Sequence, residues 1–335
     1  VRRPGASCSR LAPLGEAKPP ACPGDPFSYI RRRSAGDAMQ ETQFSYADAG
    51  DPLVKRLAIR LVEAAVGQPR LKRVYLDILR HPVAGEGFFT AVVRGLRLDI
   101  HYDGSQLARI PRSGPLVVVA NHAFGALDGI VLSRLIEDVR SDFLALTHSV
   151  LLRVPELRRT MLPVDFSGTP EATRTNLRTR AEARQHLAGG GTLIVFPSGT
   201  VATSPDRLGL RPAIEVPWQP FTSQLIQRSQ ATVVPVFFKG QNSWLFQVAS
   251  HVSPTLRMVL LFREVKNRIG TTLPVVIGDP IPFSALAQIT GRRALADHLR
   301  TLTYALAGHG EGHSAVSATA TISGDALVGD PGASR

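Results

Sequence analysis

No window of this 335-residue chain reaches the ~18 consecutive apolar residues that a bilayer-spanning helix requires. The only cysteines, Cys8 and Cys22, lie near the beginning, so neither a disulfide scaffold nor a cysteine-built metal cluster is expected in the folded part. Zinc-finger spacing, an RNP-like aromatic strand and a basic heptad region are all missing, which removes the usual sequence-specific nucleic-acid readers. No Gly-Lys-Ser/Thr closes a phosphate-binding P-loop. A nucleophile elbow at Ser198 fails as well, because Phe196 stands where a glycine is required. No internal repeat is visible.

Acidic residues are outnumbered, 27 Asp and Glu against 39 Lys and Arg, giving a formal net charge of +12. Residues 1–38 hold seven basic against three acidic residues, a net +4 that leaves +8 on the rest. Such a balance points to an anionic partner, and an anionic membrane surface suits it better than nucleic acid. Residues 1–44 are rich in proline and contain Arg31-Arg32-Arg33, and residues 309–335 are mostly small and polar. Both are expected to be disordered tails around one domain over 45–308. The leading stretch lacks the continuous apolar core of a secretory signal.

Within the domain, short apolar runs alternate with helical patterns. The expected strands are Leu96–Tyr102, Leu116–Ala120, Phe143–Thr147, Met161–Val164, Leu193–Phe196, Val233–Phe238 and Val275–Ile277. The expected helices include Ile130–Val139, Glu171–Leu187, Thr222–Gln230, Leu256–Ile269 and Arg293–Leu306. This alternation predicts an α/β domain, a mixed sheet flanked by helices. Two amphipathic helices precede it. Pro52–Val66 places Leu53, Leu57, Leu61 and Ala64 at helical spacing, and Arg70–Leu79 does the same with Leu71, Val74, Tyr75 and Leu79 among basic residues. Packing on the domain core with the basic residues solvated is the simpler reading; a headgroup boundary is the other.

The stretch Pro115–Gly129, PLVVVANHAFGALDG, carries the chemistry. Its apolar strand delivers Asn121 and His122 at its end, and Asp128 follows six positions later. An imidazole titrates near neutrality, and a carboxylate fixes its tautomer, which together suit a general base. Residues at i and i+6 do not share a helical face, so the pair meets only if the chain turns, and Gly125 permits that. The plainer alternative makes Asp128 a helix cap and His122 a strand-end residue bonded to backbone. Three further stretches stand out: Phe196-Pro197-Ser198-Gly199-Thr200 at a strand end, Val234-Pro235-Val236 followed by Asn242, and Val154–Asp165 with Arg158 and Arg159. Proline inside an apolar strand predicts an edge, a bulge or a bend.

Taken in order, Asn121-His122 to Asp128, Leu162–Asp165, Phe196–Thr200 and Val234–Val236 resemble the motifs of the glycerolipid (lysophosphatidate-type) acyltransferase superfamily. The resemblance covers about residues 95–280. One extra residue between His and Asp, an HX5D spacing, together with NHAFGALDG, GQNS and FSYAD, is similar to the hemolysin-like branch that includes lyso-ornithine lipid O-acyltransferases.

The resemblance implies a glycerol-3-phosphate acyltransferase-like single domain. It implies a peripheral enzyme on the inner, cytoplasmic face of the cell membrane. It implies direct acyl transfer from acyl-ACP or acyl-CoA to a lysolipid hydroxyl, with no metal and no cofactor beyond that co-substrate. His122 would be the base, Asp128 its orienting partner, and backbone N–H groups near Gly125 or Gly199 the oxyanion donors. Asn121, Phe124, Gly125, Pro197, Ser198, Gly199, Thr200, Pro235 and Asn242 would line the substrates. Two departures loosen the choice of acceptor: Ser198 stands where the superfamily has glutamate, and Val201 and Ala202 stand where an arginine is expected. A phosphate-free acceptor such as lyso-ornithine lipid then competes with lysophosphatidate, or Arg158, Arg159 or Lys239 supplies the cation. Two rival readings remain, a lipid esterase using Ser198 and a non-catalytic binder of anionic surfaces.

Overall fold

A computed structural model describes residue 50 and residues 52–310. The tail expected over 1–44, with Cys8 and Cys22, lies outside those residues, as does the tail expected over 309–335 except for residues 309 and 310, which end a 3₁₀ turn. The strands are β1 (Asp99–His101), β2 (Leu116–Ala120), β3 (Phe143–His148), β4 (Met161–Val164), β5 (Thr192–Val195), β6 (Thr232–Phe238) and β7 (Thr272–Ile277). The helices preceding β2 are α1 (Leu53–Val66), α2 (Gln68–Arg80), α3 (Phe88–Gly95) and α4 (Gly104–Ala108). After it come α5 (Ala126–Glu137), α6 (Pro170–Ala188), α7 (Pro220–Ser229), α8 (Trp244–Val252), α9 (Pro254–Asn267), α10 (Phe283–Leu286) and α11 (Arg292–Ala305).

The strands form one mixed sheet in the order β1-β7-β6-β2-β5-β3-β4. From β6 to β4 all neighbours are parallel; β7 runs antiparallel to β6 and carries β1 alongside it. The expected α/β class is the observed one. β2 sits at the centre because Leu-Val-Val-Val-Ala is buried on both faces, as a parallel strand covered by helices must be. Leu116, Val118 and Ala120 enter one core with α3 and α5, while Val117 and Val119 enter another with α6, α7 and α11.

Two local outcomes differ from the sequence reading, and a third, at Pro235, is the bulge that reading allowed. The first strand is shorter than expected, because Leu96 follows α3 and Arg97 turns the chain at φ 50°. In α1, Ile59 and Val66 pack on the domain while Leu53, Val54, Leu57 and Leu61 are 71, 80, 59 and 64% exposed. The apolar stripe therefore faces outward, and core packing is not its role. Pro235 lies inside the sheet, and the β6–β7 pairing slips by one residue between Val236–Ile277 and Val233–Ile281. Gly278 makes room at this bulge, since a Cβ there would stand 2.7 Å from the proline Cγ.

Candidate active site

β2 ends at Ala120, and the next residues turn across the carboxyl end of the sheet, where open α/β folds gather ligand groups. The turn is made by Gly125 at φ 82°, a left-handed conformation that favours glycine, and a Cβ there would press on Leu261 Cδ2 at 2.9 Å. This turn starts α5 with Asp128 in its first helical turn. Asp128 Oδ2 accepts the Phe124 N–H at 2.8 Å and the Gly125 N–H at 3.0 Å, closing the helix start. The same oxygen lies 3.0 Å from His122 Nδ1. One atom of Asp128 thus both closes the helix start and contacts the imidazole.

Asp128 is fully buried, whereas the His122 side chain is 19% exposed. Burial pushes the Asp128 carboxyl upward, against the opposing pull of the ring and the two amides. Because Oδ2 already accepts two N–H bonds, the imidazole must present Nδ1–H to it, which leaves Nε2 as the basic nitrogen. Nε2 has no hydrogen bond among the described residues. The ring stacks on Phe196, with centroids 4.3 Å apart.

The backbone of His122 is held on both sides. Its carbonyl accepts the Ala202 N–H at 2.7 Å, and its N–H donates to Glu215 Oε1 at 2.8 Å. Glu215 is buried and serves four donors. Ser198 Oγ donates to Oε1 at 2.7 Å, and Trp218 Nε1 and Tyr304 Oη donate to Oε2 at 3.0 and 2.9 Å. Burial and the adjacent Glu215 raise the Tyr304 phenol well above its ordinary range. Sequence reasoning passed over Glu215. Its one signal was a lone carboxylate in the apolar stretch Ala213–Trp218.

The other expected site residues separate into two groups. Gly199 and Thr200 are exposed beside the site. Asn121 is instead structural: its amide pairs with the Phe238 backbone in both directions, at 3.0 and 2.7 Å, tying β2 to β6. Phe124 is buried beneath the Arg268 guanidinium, 4.4 Å from the ring centroid. Pro197, Pro235 and Asn242 are buried. Ser198 is buried too, bonded to a carboxylate rather than an imidazole, which removes the basis for a serine esterase. The N–H groups of Gly125 and Gly199 are already engaged, the latter by the Phe196 carbonyl at 2.9 Å, so neither is a free oxyanion donor. Arg158 donates to the Leu152 carbonyl at 2.9 Å, ahead of β4 at the far edge of the sheet. A different cation reaches the 201–202 loop: Arg257 of α9 donates to the Val201 carbonyl at 2.5 Å.

A family described as acyltransferase matches residues 59–311. Among solved structures, the 1-acyl-sn-glycerophosphate (LPA) acyltransferase PlsC from Thermotoga maritima is similar. It shares 17% identity at a TM-score of 0.41, over 68% of this chain and 78% of that one. No curated protein matches the chain.

Proposed function

This chain belongs to the acyltransferase family, and on that premise we propose that it moves a fatty acyl group from an acyl thioester, acyl-ACP or acyl-CoA, to the hydroxyl of a lysolipid. The observation that carries this reading is the His122–Asp128 pair, a buried carboxylate holding an accessible imidazole whose Nε2 is free. Nε2 takes the proton of the acceptor hydroxyl as its oxygen attacks the thioester carbonyl. The new C–O bond forms, the C–S bond breaks, and the imidazolium returns its proton to the departing thiolate. Such proton transfer contributes roughly 10²–10⁴ in rate. Developing negative charge on the carbonyl oxygen is met by the Thr200 and Val201 N–H groups. They adjoin the Ala202 contact to His122 and have no hydrogen bond among the described residues.

The acceptor is lysophosphatidate or lyso-ornithine lipid. Arg257 supports an acceptor bearing an anion, because it brings a guanidinium to the loop where the local sequence has only Val201 and Ala202. The enzyme works as a peripheral protein at an anionic membrane on its cytoplasmic face. Exposed Leu53, Val54, Leu57 and Leu61, flanked by Arg56 and Arg60, suit an interfacial helix. No helix of the described residues is long and apolar enough to cross a membrane.

Lipid analysis of cells carrying the wild type or His122→Ala tests the proposal. Loss of one diacylated lipid with gain of its lyso form, in the variant only, is expected. An unchanged lipid profile with a folded variant would refute it.

A further inference from the structure

A cavity of about 560 Å³ opens between α2, the turn before β1 and the turn before β7. Arg70, Arg73, Arg80 and Arg97 line it, with Asp77 the one acidic residue. None of these four guanidinium groups has an ion pair or hydrogen-bond partner among the described residues, and Asp77 is engaged by His81 at 3.1 Å. Four unpaired cations around one hollow repel one another, and a bound anion relieves that repulsion. Arg97 is held at this wall by a left-handed backbone, a conformation that costs a non-glycine residue about 1 kcal/mol. A strained residue at a cavity wall is a reason to look for a ligand there.

The location relates the cavity to the chemistry. Asp99 pairs with Thr272 and Phe238 with Val275, so Arg97 and Ile269 project beyond the end of the sheet that carries His122. Three strand steps separate β1 from β2, roughly 14 Å at ~4.8 Å each. Arg97 lies five register positions beyond the level of His122, roughly 16 Å along the strands at ~3.3 Å each, so the separation is on the order of 22 Å. Ile269 lines the cavity, and its neighbour Arg268 stacks on Phe124, two residues from His122.

We propose that this cavity binds the phosphate of the donor's 4′-phosphopantetheine arm, the part that acyl-ACP and acyl-CoA share; the assignment rests on the thioester reading above. From sulfur to phosphorus the arm has about thirteen bonds, which extend roughly 15 Å if each advances as a peptide backbone bond does. Arginine side chains cover the remaining gap, and guanidinium forks suit phosphate oxygens.

The test compares an acyl-4′-phosphopantetheine with the matching acyl-pantetheine, which lacks the phosphate, as donors for wild type and for the double variant Arg73→Gln/Arg97→Gln. Wild type is expected to prefer the phosphorylated donor. In the variant its KM rises about tenfold, a loss near 1.4 kcal/mol, with kcat and the acyl-pantetheine KM unchanged. A wild type indifferent to the phosphate, or a variant that keeps the preference, would overturn the assignment. Loss of binding to anionic vesicles with donor preference intact would overturn it too, and make the arginines a lipid contact. If neither donor is turned over, the acyl-transfer reading fails by itself. Calorimetry with 4′-phosphopantetheine then decides the cavity: binding that is lost in the double variant supports it, and no binding by the wild type sinks it.

Discussion

Replacing Glu215 separates its two duties, because each of its oxygens serves one hydroxyl and one N–H. Oε1 accepts from Ser198 and from the His122 amide, and Oε2 from Tyr304 and from the Trp218 indole. In Glu215→Gln the hydroxyls can rotate to accept from the new NH₂, but an N–H cannot. One N–H, of His122 or of Trp218, is left facing a donor, at a cost of about 1–3 kcal/mol. In Glu215→Ala the His122, Trp218 and Tyr304 donors lose their acceptor while Ser198 Oγ keeps the Thr200 carbonyl at 3.0 Å, partly offset by removal of a buried charge, for a net loss of about 3–5 kcal/mol. At ~2–4 °C per kcal/mol for a domain this size, the melting temperature falls by roughly 2–12 °C for Gln and 6–20 °C for Ala. Loss of the His122 anchor also displaces the base, and an ångström of misplacement costs about 10²-fold in kcat. Differential scanning calorimetry and steady-state acyl transfer read the two effects. An alanine variant that melts with the wild type, or a glutamine variant that melts below alanine, would refute the reasoning.

Four further outcomes follow from the same geometry. His122→Ala should lower kcat by about 10²–10⁴ while the domain stays folded, since Asp128 keeps its two amide donors; retained turnover in a kinetic assay would reject the base. Fluorophosphonate should leave no adduct on Ser198 by mass spectrometry, and a labelled Ser198 would restore the esterase reading. Tyr304 should ionise above the ordinary phenol range in an ultraviolet titration, and Tyr304→Phe should delete that late step. Because its folded-state pKa is raised, its contribution to stability is fully present below the ordinary phenol value near 10 and fades as pH rises through the higher folded-state value. Leu57→Glu/Leu61→Glu should weaken flotation with anionic vesicles more than tenfold, at ~1.5–3 kcal/mol per leucine withdrawn from lipid. Undiminished flotation would remove α1 from the interface.

The legible parts of this protein were those decided within a few residues of sequence. Runs such as Leu116–Ala120 and Val233–Phe238 announce buried strands, because β-branched side chains suit a sheet covered on both faces. His122 and Asp128 were legible for the same reason, since a single glycine turn brings them together. α3 escaped notice because Phe88–Val93 is aromatic and β-branched, and tertiary packing of Phe89 and Ala91 overrides that preference. Glu215 and Arg257 were beyond local reading: their contacts to His122 and Val201 span 93 and 56 positions. The outward stripe of α1 was invisible for another reason, because periodicity fixes which residues share a face and not what that face meets.

Asp128 Oδ2 joins two events that are usually separate. The first turn of α5 closes on the oxygen that steers the imidazole, so fraying of that turn releases the ring at the same moment. Hydrogen exchange at the Phe124 and Gly125 amides therefore clocks how often the base stands unguided. Tightening this one helix end, with no change to any group that touches substrate, would raise the fraction of molecules ready to react.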